Sequence, residues 1–509
     1  MYSHARHIFM KKLIVWFGLL LTLSATSFAQ DPVATLDQYI QSSMKDWRVP
    51  GLSIAVVRDG KVVLSKGYGV RTLGQNEAVD NKTLFGCMST TKAFTAASLG
   101  MMVDEGKLNW DDKVTKWLPD FRVGDSYITG DLRVRDLLTH NSGIGNTDAL
   151  WALDQTITSA EVYRRMQMAK PTYPLRGGFE YQNNMYLIAG MVLEKVSGMT
   201  WEKFVTERIF KPLGMNDTYA TLALSKGYAN RSTPHFDVDG KILNIPETEA
   251  DPIAPAGAIW SNSDDIAKWV AYMLGNATPD GKQILKPATY AELFKPQVIV
   301  PPAGFYPTIA ETKPHWMTYG LGWFQHDYRG QMVDFHTGSL DGRTAIIGLI
   351  PDKKVGVYIF GNLDHAELRH ALMYKAFDLF AFSDNSKDWS SDLKKLYDGI
   401  KANQQKQIDT VKAMRKIGTQ PSLPLTAYVG KYSDPFNGDA EIQLAEGKLK
   451  LILHDKSTAM LEPWQFDTFD VTWGKAWWGH SFAQFTINAA APKVDSINLD
   501  GLVLTKEGN

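Results

Sequence analysis

The chain has 509 residues, of which 44% are hydrophobic and 21% are charged. This length excludes a single small domain and predicts about three domains, at roughly 150 residues each. The 54 Lys and Arg residues are balanced by 55 Asp and Glu residues, which leaves no excess positive charge for nucleic acid or an anionic membrane, so no nucleic-acid partner is expected. A single cysteine, Cys87, excludes an internal disulfide framework and a multi-cysteine zinc site.

Residues 1–29 have the layout of a secretory signal peptide. Lys11 and Lys12 precede an apolar run over 13–23, and small residues then lead to Ala29, as is typical of an A-x-A-like cleavage site. The run is shorter than the roughly 20 residues that a membrane-spanning helix needs. We therefore expect the segment to be removed and the mature protein to be periplasmic or secreted, without a stable membrane span.

The first folded domain is predicted to cover residues 30–385 and to be of the α+β class. A helix is predicted around 33–44, followed by antiparallel strands at 52–57 and 62–68 that turn at Asp59-Gly60. The middle of the domain, 90–293, has mostly helical periodicity. A closing helix over 368–382 follows four runs rich in β-forming residues, at 320–326, 331–335, 345–350 and 356–360. One antiparallel sheet flanked by helices, together with an all-helical subdomain, accounts for this order.

The rest of the chain is predicted to form a helical linker, 386–422, and a small all-β domain, 423–509. The linker is charged, rich in Gln and Lys, and ends near Pro421 and Pro424. Short strands at 440–444, 449–453, 482–487 and 497–504 predict a sandwich or a barrel. Three tryptophans cluster there, Trp473, Trp477 and Trp478. A ligand site is one interpretation of this cluster, and we favour the core of the domain.

Ser89 and Lys92 form an S-x-x-K motif at a predicted helix start. Side chains three residues apart share a helix face, so the Lys92 amine lies beside the Ser89 hydroxyl. Desolvation or a nearby cation that lowers the lysine pKa from about 10.4 makes it a base for the serine. The Ser89 backbone N–H would face developing negative charge. The same motif begins at Ser42 and Ser391 on charged helices, where we interpret it as solvated side chains.

A Y-x-N motif from Tyr181 to Asn183 follows a loop and precedes a predicted helix. The phenol is placed to relay a proton to or from Ser89, and a neighbouring Lys92 cation would favour its phenolate. The Asn183 amide is a candidate contact for a substrate carbonyl. A buried, hydrogen-bonded structural tyrosine is the alternative for Tyr181. The similar pattern at 228–230 lacks a following helix and is interpreted as a surface loop.

The third motif, His336-Thr337-Gly338, lies at the end of a predicted strand. Gly338 allows a backbone to approach a ligand closely, and the N–H of Ser339 would be the second oxyanion donor. Three other tripeptides resemble catalytic motifs of β-lactamases. They are K-x-G at 354–356 and 416–418 and S-D-N at 383–385. We interpret these three as a hairpin, a linker and a turn.

No metal site and no cofactor are expected. His365, Glu367 and His370 are metal-ligand types, but we predict that they lie on an exposed helix without a further ligand. Cys87 is interpreted as a small buried residue rather than a reactive thiol. The sequence also lacks a G-x-S-x-G elbow, an H-E-x-x-H motif and a P-loop.

The order and spacing of the three motifs resemble the serine β-lactamase-related family, which includes class C β-lactamases, D,D-carboxypeptidases, D-aminopeptidases and esterases of peptidase family S12. The resemblance covers about residues 31–380 and extends to V-P-G at 49–51, L-L-T-H-N-S-G at 137–143 and Y-G-L-G-W at 319–323. It implies a β-lactamase/transpeptidase-like fold for the first domain. The C-terminal domain resembles the lipocalin-like module that some of these peptidases carry, including archaeal ones.

The resemblance implies that Ser89 is the acylated nucleophile, that Lys92 and Tyr181 exchange its proton, and that Asn183 contacts the acyl part. The N–H groups of Ser89 and Ser339 would form the oxyanion hole.

Lactamases of this family usually have lysine where this chain has His336. A histidine is only fractionally charged near pH 7, which weakens an anchor for the β-lactam carboxylate. The resemblance therefore implies an exported serine hydrolase that cleaves an ester or amide in a small molecule or peptide, including D-amino-acid peptides. The alternatives are a β-lactamase and a catalytically silent penicillin-binding-type sensor. We expect the β domain to restrict the mouth of the cleft.

Overall fold

The computed structural model describes residues 31–275, 277–454, 457–488 and 490–508. The predicted signal peptide lies outside these residues. Over these ranges, no helix combines the length and the apolar character needed to cross a membrane. The chain forms a sheet-and-helix domain, a long connecting helix and a closed β barrel.

The strands of the sheet-and-helix domain and of the barrel are numbered together in chain order. They are β1 Gly51–Arg58, β2 Lys61–Gly69, β3 Phe85–Gly86, β4 His235–Val238, β5 Lys241–Asn244, β6 Trp260–Ser261, β7 Val298–Ile299, β8 Met317–Tyr319, β9 Phe324–Tyr328, β10 Gln331–Leu340, β11 Arg343–Ile350, β12 Val355–Gly361, β13 Gly430–Asp434, β14 Gly438–Ala445, β15 Lys448–Leu453, β16 Ser457–Gln465, β17 Thr468–Trp473, β18 His480–Asn488, β19 Lys493–Leu499 and β20 Leu502–Lys506. The α-helices are Pro32–Asp46, Lys92–Asp104, Val114–Trp117, Ser126–Asp131, Ala149–Ala152, Ser159–Met166, Asn184–Ser197, Trp201–Val205, Lys211–Leu213, Leu222–Ser225, Ala254–Gly257, Ser263–Gly275, Pro287–Leu293, Ile309–Thr312, Leu368–Ala381 and Trp389–Ala413.

An eight-stranded antiparallel sheet, ordered β2-β1-β12-β11-β10-β9-β8-β7, forms the centre of the first domain. Helices pack on both of its faces, among them Pro32–Asp46 and Leu368–Ala381 around one core and Ser263–Gly275 in the other. Every residue of β11 and β12 is consequently buried. Burial on both faces explains why these strands are continuous apolar runs rather than alternating ones.

The predicted α+β architecture is confirmed, as are the opening helix and the hairpin at Asp59-Gly60. The strand predicted over 320–326 begins only at Phe324, in β9, because the backbone turns at Gly322, where φ is 88°. Strand β10 is longer than predicted and carries residues 336–339 within it. The middle of the domain, predicted as mostly helical, also contains the β4–β5 hairpin.

The closing helix Leu368–Ala381 is buried along almost its whole length. The expectation of an exposed helix beside the candidate metal ligands is therefore wrong, and Glu367 and His370 are buried with it. Its apolar residues are distributed around the helix because it packs against both the sheet and the helix Pro32–Asp46. Among the described residues, no group of three or more His, Cys, Asp or Glu side chains is arranged to hold a metal ion.

The C-terminal strands β13–β20 close into an eight-stranded barrel, which decides between the two predicted architectures. The segment predicted as one strand over 497–504 is two strands, because the chain reverses at Asp500-Gly501. Tyr428, Tyr432 and Phe485 fill the barrel core. The helix Trp389–Ala413 connects the two domains, and most of it is exposed beyond Leu393.

Our placement of the tryptophan cluster in the barrel core is wrong for two of its three members. Trp477 and Trp478 are half-buried outside the core, in the segment between β17 and β18, and Trp473 packs at the edge of the core. All three face a cavity between the barrel and the first domain.

Candidate active site

Ser89 lies in a short 3-10 turn, Met88–Thr91, that leads directly into the helix Lys92–Asp104. The side chain of Ser89 is half-buried. Met88 before it has a φ of 46°, a left-handed conformation that costs a non-glycine residue about 1–2 kcal/mol. Because Met88 is buried in the core, its surroundings hold this conformation. Such local strain is typical of backbone that presents a reactive side chain.

The Lys92 amine is completely buried and is held by three acceptors. Its Nζ donates to Ser89 Oγ at 3.0 Å, to Asn183 Oδ1 at 2.6 Å and to the carbonyl of Ala256 at 3.0 Å. Burial lowers the pKa of Lys92 to about 7, while the Asp148 carboxylate opposes this effect. A substantial fraction of Lys92 is therefore neutral near pH 7 and can accept the Ser89 proton.

Tyr181 lies beside the serine and the lysine. Lys92 Nζ is 4.9 Å from the centroid of the Tyr181 ring. Burial raises the pKa of Tyr181 well above its ordinary value, and the Ser89 hydroxyl offsets only part of this rise. The expectation that the Lys92 cation produces a phenolate is therefore not met. At neutral pH Tyr181 is a phenol that can donate a proton, and Lys92 is the better base.

Asn183 immediately precedes the helix Asn184–Ser197. Its carbonyl oxygen accepts from Lys92, and its Nδ2 donates to Asp148 Oδ2 at 2.6 Å. The amide thus connects Lys92 to Asp148 and orients the lysine, and the contact of Asn183 with a substrate carbonyl stays a prediction. Asp148 was not predicted. It precedes the helix Ala149–Ala152, and no sequence motif marks an acid that meets its partner only in the folded chain.

Strand β10 passes directly beside Ser89. A Cβ atom at Gly338 would lie 2.5 Å from the Cys87 carbonyl oxygen and 3.0 Å from the Ser89 nitrogen, so only glycine permits this approach. Ser339 follows it on the same strand. The Cys87 thiol is buried and its pKa is raised to about 12 by that burial, which agrees with a packing role.

His336 is buried beside Tyr181, with ring centroids 6.1 Å apart. Both of its ring nitrogens form hydrogen bonds. Its Nδ1 is 2.6 Å from the Thr337 carbonyl oxygen and its Nε2 is 2.9 Å from the Tyr319 hydroxyl. The carbonyl can only accept, so Nδ1 carries the proton and Nε2 accepts from the tyrosine. Burial, assisted by the Lys92 charge, lowers the pKa of His336 to about 3. The ring is neutral and offers no positive charge to a substrate carboxylate.

Arg369 is a residue of this site that the sequence motifs did not indicate. Its Nη1 donates to the carbonyl of Gly338 and, at 2.8 Å, to Ser339 Oγ. The C=O and N–H of a trans peptide point in opposite directions. A donor on the Gly338 carbonyl therefore fixes the direction of the Ser339 N–H, the predicted oxyanion donor.

Arg369 is itself held in place by Glu367. The two side chains form a forked pair, with contacts of 3.2 and 3.0 Å, and His370 Nδ1 lies 2.7 Å from the same carboxylate. A bidentate pair of this kind fixes the guanidinium plane. The sequence does contain one indication of this role. Arg369 lies in the first turn of the predicted closing helix, whose other residues are mostly apolar.

The structure thus brings Ser89, Lys92, Tyr181 and Asn183 into one group, with Gly338 and Ser339 alongside it on β10. It places His336 in the wall behind them. The other two S-x-x-K serines, Ser42 and Ser391, lie at exposed positions on their helices.

Comparison with known proteins gives two family models. A model described as beta-lactamase matches residues 36–379, and one described as a domain of unknown function, DUF3471, matches residues 414–506. The chain is 30% identical over 448 residues to a protein from Aspergillus violaceofuscus named Unguisins hydrolase ungD. That match covers 81% of this chain and 77% of the relative.

Among the solved structures that share the fold are a penicillin-binding protein homologue and an amidase. An octameric penicillin-binding protein homologue from Pyrococcus abyssi is 23% identical, with a TM-score of 0.60, and the match covers 93% of this chain and 100% of that one. The D-amino acid amidase from Ochrobactrum anthropi SV3 is 22% identical, with a TM-score of 0.57, over 67% of this chain and 99% of that one. At these sequence identities, the similarity shows that the folds are alike and no more than that.

We predict that the rate of attack by Ser89 rises with pH through the Lys92 pKa near 7, because the protonated amine cannot accept a proton. Asp148→Asn removes the charge that favours the ammonium form, so the rising limb of kcat/KM should move to lower pH. Profiles of kcat/KM against pH for both proteins measure this shift. A limb that stays in place, or moves to higher pH, contradicts the assignment of Lys92 as the base.

We predict that Arg369 acts on kcat rather than on KM. The double variant Glu367→Gln/Arg369→Met removes both buried charges, since a single change would leave one unpaired. Misdirecting one oxyanion donor should lower kcat about 10-fold to 100-fold, with KM within about twofold. Steady-state kinetics with one ester substrate measures both constants.

The matched control is Glu105→Gln/Arg208→Met, an ion pair near the protein surface, which should leave kcat unchanged. Arg369→Lys keeps the charge but loses the fork, so it should retain an intermediate kcat. Unchanged kcat in the Arg369 double variant, with a native near-UV spectrum, contradicts the positioning role.

Proposed function

Because the chain belongs to the beta-lactamase family of serine hydrolases, we propose that it cleaves an ester or amide, including peptides with D-amino acids, through an acyl-enzyme on Ser89. The observation that carries the proposal is the buried Lys92 amine, 3.0 Å from Ser89 Oγ with a pKa of about 7. A base at that distance and pKa is what a serine needs to become a nucleophile at neutral pH.

In the acylation step, Ser89 Oγ attacks the substrate carbonyl carbon as Lys92 Nζ takes the hydroxyl proton. The carbonyl oxygen becomes an oxyanion and accepts hydrogen bonds from the N–H groups of Ser89 and Ser339. The bond to the leaving nitrogen or oxygen then breaks. Tyr181 donates its phenolic proton to the leaving group and regains a proton from Lys92, which returns to the neutral amine.

Deacylation uses the same groups with water in place of the serine. Water attacks the ester carbon and gives one proton to Lys92, the oxyanion forms again, and the bond to Ser89 Oγ breaks. Ser89 recovers its proton from Lys92. One water is consumed for each acyl group released as an acid, and the protein ends the cycle in its starting protonation state.

The proposed substrate class rests on charge and on the relatives. A relative at 30% identity bears the name Unguisins hydrolase, which supports the proposal that this chain is a hydrolase as well. The D-amino acid amidase of Ochrobactrum anthropi shares the fold, and preference for D-residues is our proposal for this chain. The neutral, buried His336 lacks the positive charge that would anchor a β-lactam carboxylate, so we rank β-lactams below esters and amides.

The proposal includes export to the periplasm or the exterior. It rests on the pattern of residues 1–29, with its basic start, apolar run and small residues before Gln30.

We predict that Ser89→Ala lowers hydrolysis of an activated ester by at least about 1000-fold without changing the fold, because the nucleophile is lost. Initial rates and a far-UV spectrum measure the two effects. Ser42→Ala is the matched control, since Ser42 begins an S-x-x-K motif at an exposed position of the helix Pro32–Asp46. Loss of rate in both variants, or in neither, would sink the assignment. A wild type without turnover on esters, D-peptide amides or penicillins would favour the silent sensor.

A further inference from the structure

A large cavity lies between the first domain and the barrel. Its volume is about 1010 Å³, at the upper end of what small-molecule sites occupy. Ser339, the proposed oxyanion donor, is part of its lining, so one side of the cavity adjoins the proposed site. A substrate whose carbonyl lies at Ser339 has this space next to it.

Tryptophan side chains form opposite walls of this cavity. Trp151 comes from the first domain, and Trp473, Trp477 and Trp478 come from the barrel. Trp473 and Trp478 pack edge to face, with ring centroids 5.0 Å apart. Large aromatic side chains with few rotatable bonds provide contact area at a low entropic cost, which is why they dominate binding sites.

The indole N–H groups of three of these four rings are already used inside the protein. The Trp151 indole N–H donates to Asp148 at 3.1 Å, that of Trp473 to Ser481 Oγ at 2.9 Å, and that of Trp477 to Asp341 Oδ2 at 3.0 Å. These hydrogen bonds fix the orientation of the three rings. What the three rings offer the cavity is apolar surface and aromatic faces rather than hydrogen-bond donors.

Trp477 also ties the barrel to the catalytic strand. Its partner Asp341 lies in the turn after β10, two residues beyond Ser339, and accepts a second hydrogen bond from Thr248 Oγ1 at 3.0 Å. The segment Ala476–Trp478 is thus attached to the same turn that follows the oxyanion donor.

The charge of the cavity restricts its occupant further. Its lining includes the acids Asp341, Asp364 and Asp500, and no lysine or arginine is found among the described residues that line it. One histidine, His365, also lines it, and the Asp364 carboxylate that it contacts raises its pKa. Two cations close by are engaged elsewhere, Lys475 over the Trp478 ring at 4.2 Å and Arg369 against Glu367. A substrate with a free carboxylate in this space would therefore meet three acids and a histidine that Asp364 already engages.

We propose that Trp151, Trp477 and Trp478 form a subsite for an aromatic side chain of an ester or amide that bears no carboxylate, carried beside the bond that is cleaved. The inference rests on the proposed function and names its substrate class. The barrel is then a recognition module that completes the substrate site. Aromatic stacking of this kind changes binding by about 10-fold to 100-fold for each ring.

The test compares esters that differ only in the aromatic group. Phenylacetyl and acetyl esters of one alcohol, and benzyl and methyl esters of one acid, are assayed with the wild type, Trp477→Ala and Trp478→Ala. For the preferred pair, the ratio of kcat/KM for the aromatic ester to that for the aliphatic ester should fall at least about 10-fold in both variants. Equal losses for both esters, or no loss, overturn the subsite.

Two further variants separate the ring from its surroundings. Trp464→Ala is the matched control, because Trp464 is a barrel tryptophan that packs on Phe482 outside this cavity, and it should leave the ester ratio unchanged. Trp477→Phe keeps a ring but loses the hydrogen bond to Asp341, and it should retain most of the selectivity.

A phenylacetyl ester with a para-carboxylate should react at least about 10-fold more slowly than the parent ester. An equal rate overturns the inference from charge.

A binding measurement keeps this test independent of turnover. Ser89→Ala, titrated with phenylacetamide and followed by tryptophan fluorescence, should show saturable quenching that Trp477→Ala weakens at least about 10-fold. Binding without turnover in the wild type would reject the proposed function and keep the subsite. Turnover without this binding, and without aromatic selectivity, would keep the function and reject the subsite.

Discussion

The burial of one amine controls the chemistry of this protein. An ammonium deep in a folded chain is penalised by the loss of water, and the three acceptors around Lys92 recover only part of that loss. Asp148 keeps the pKa of Lys92 from falling further. The same burial keeps Tyr181 protonated and His336 neutral. Desolvation thus gives Lys92, Tyr181 and His336 the protonation states that the proposed base, the proposed acid and a neutral neighbour require.

The sheet supplies the second part of the site. Strand β10 approaches the Ser89 backbone because residue 338 has no side chain, and Arg369 holds the far side of the peptide that carries the Ser339 N–H. The closing helix therefore does more than cover the sheet. Its first turn carries Arg369, which contacts strand β10. The barrel contacts the turn after β10 through Trp477 and Asp341.

Part of this site could be predicted from the sequence, because local spacing determines it. The helical separation of Ser89 and Lys92 and the loop before the helix Asn184–Ser197 can be recognised without tertiary structure. The contacts of Arg369 and Asp148 could not, since they depend on how distant segments pack. Burial decided the protonation of Tyr181, and the spacing of charges along the chain gives no measure of it. The tryptophans of the barrel were recognised as a cluster. Their sequence positions do not reveal whether the rings lie in the barrel core or face the cavity outside it.

The most direct test of the proposed mechanism is to trap the acyl-enzyme. The wild type is mixed with an excess of an activated ester, quenched within one turnover, and studied by intact mass and peptide mapping. We expect a single added acyl group on the peptide that contains Ser89, which decays as free acid appears. Continued hydrolysis with no adduct, or an adduct on a residue other than Ser89, would contradict the mechanism.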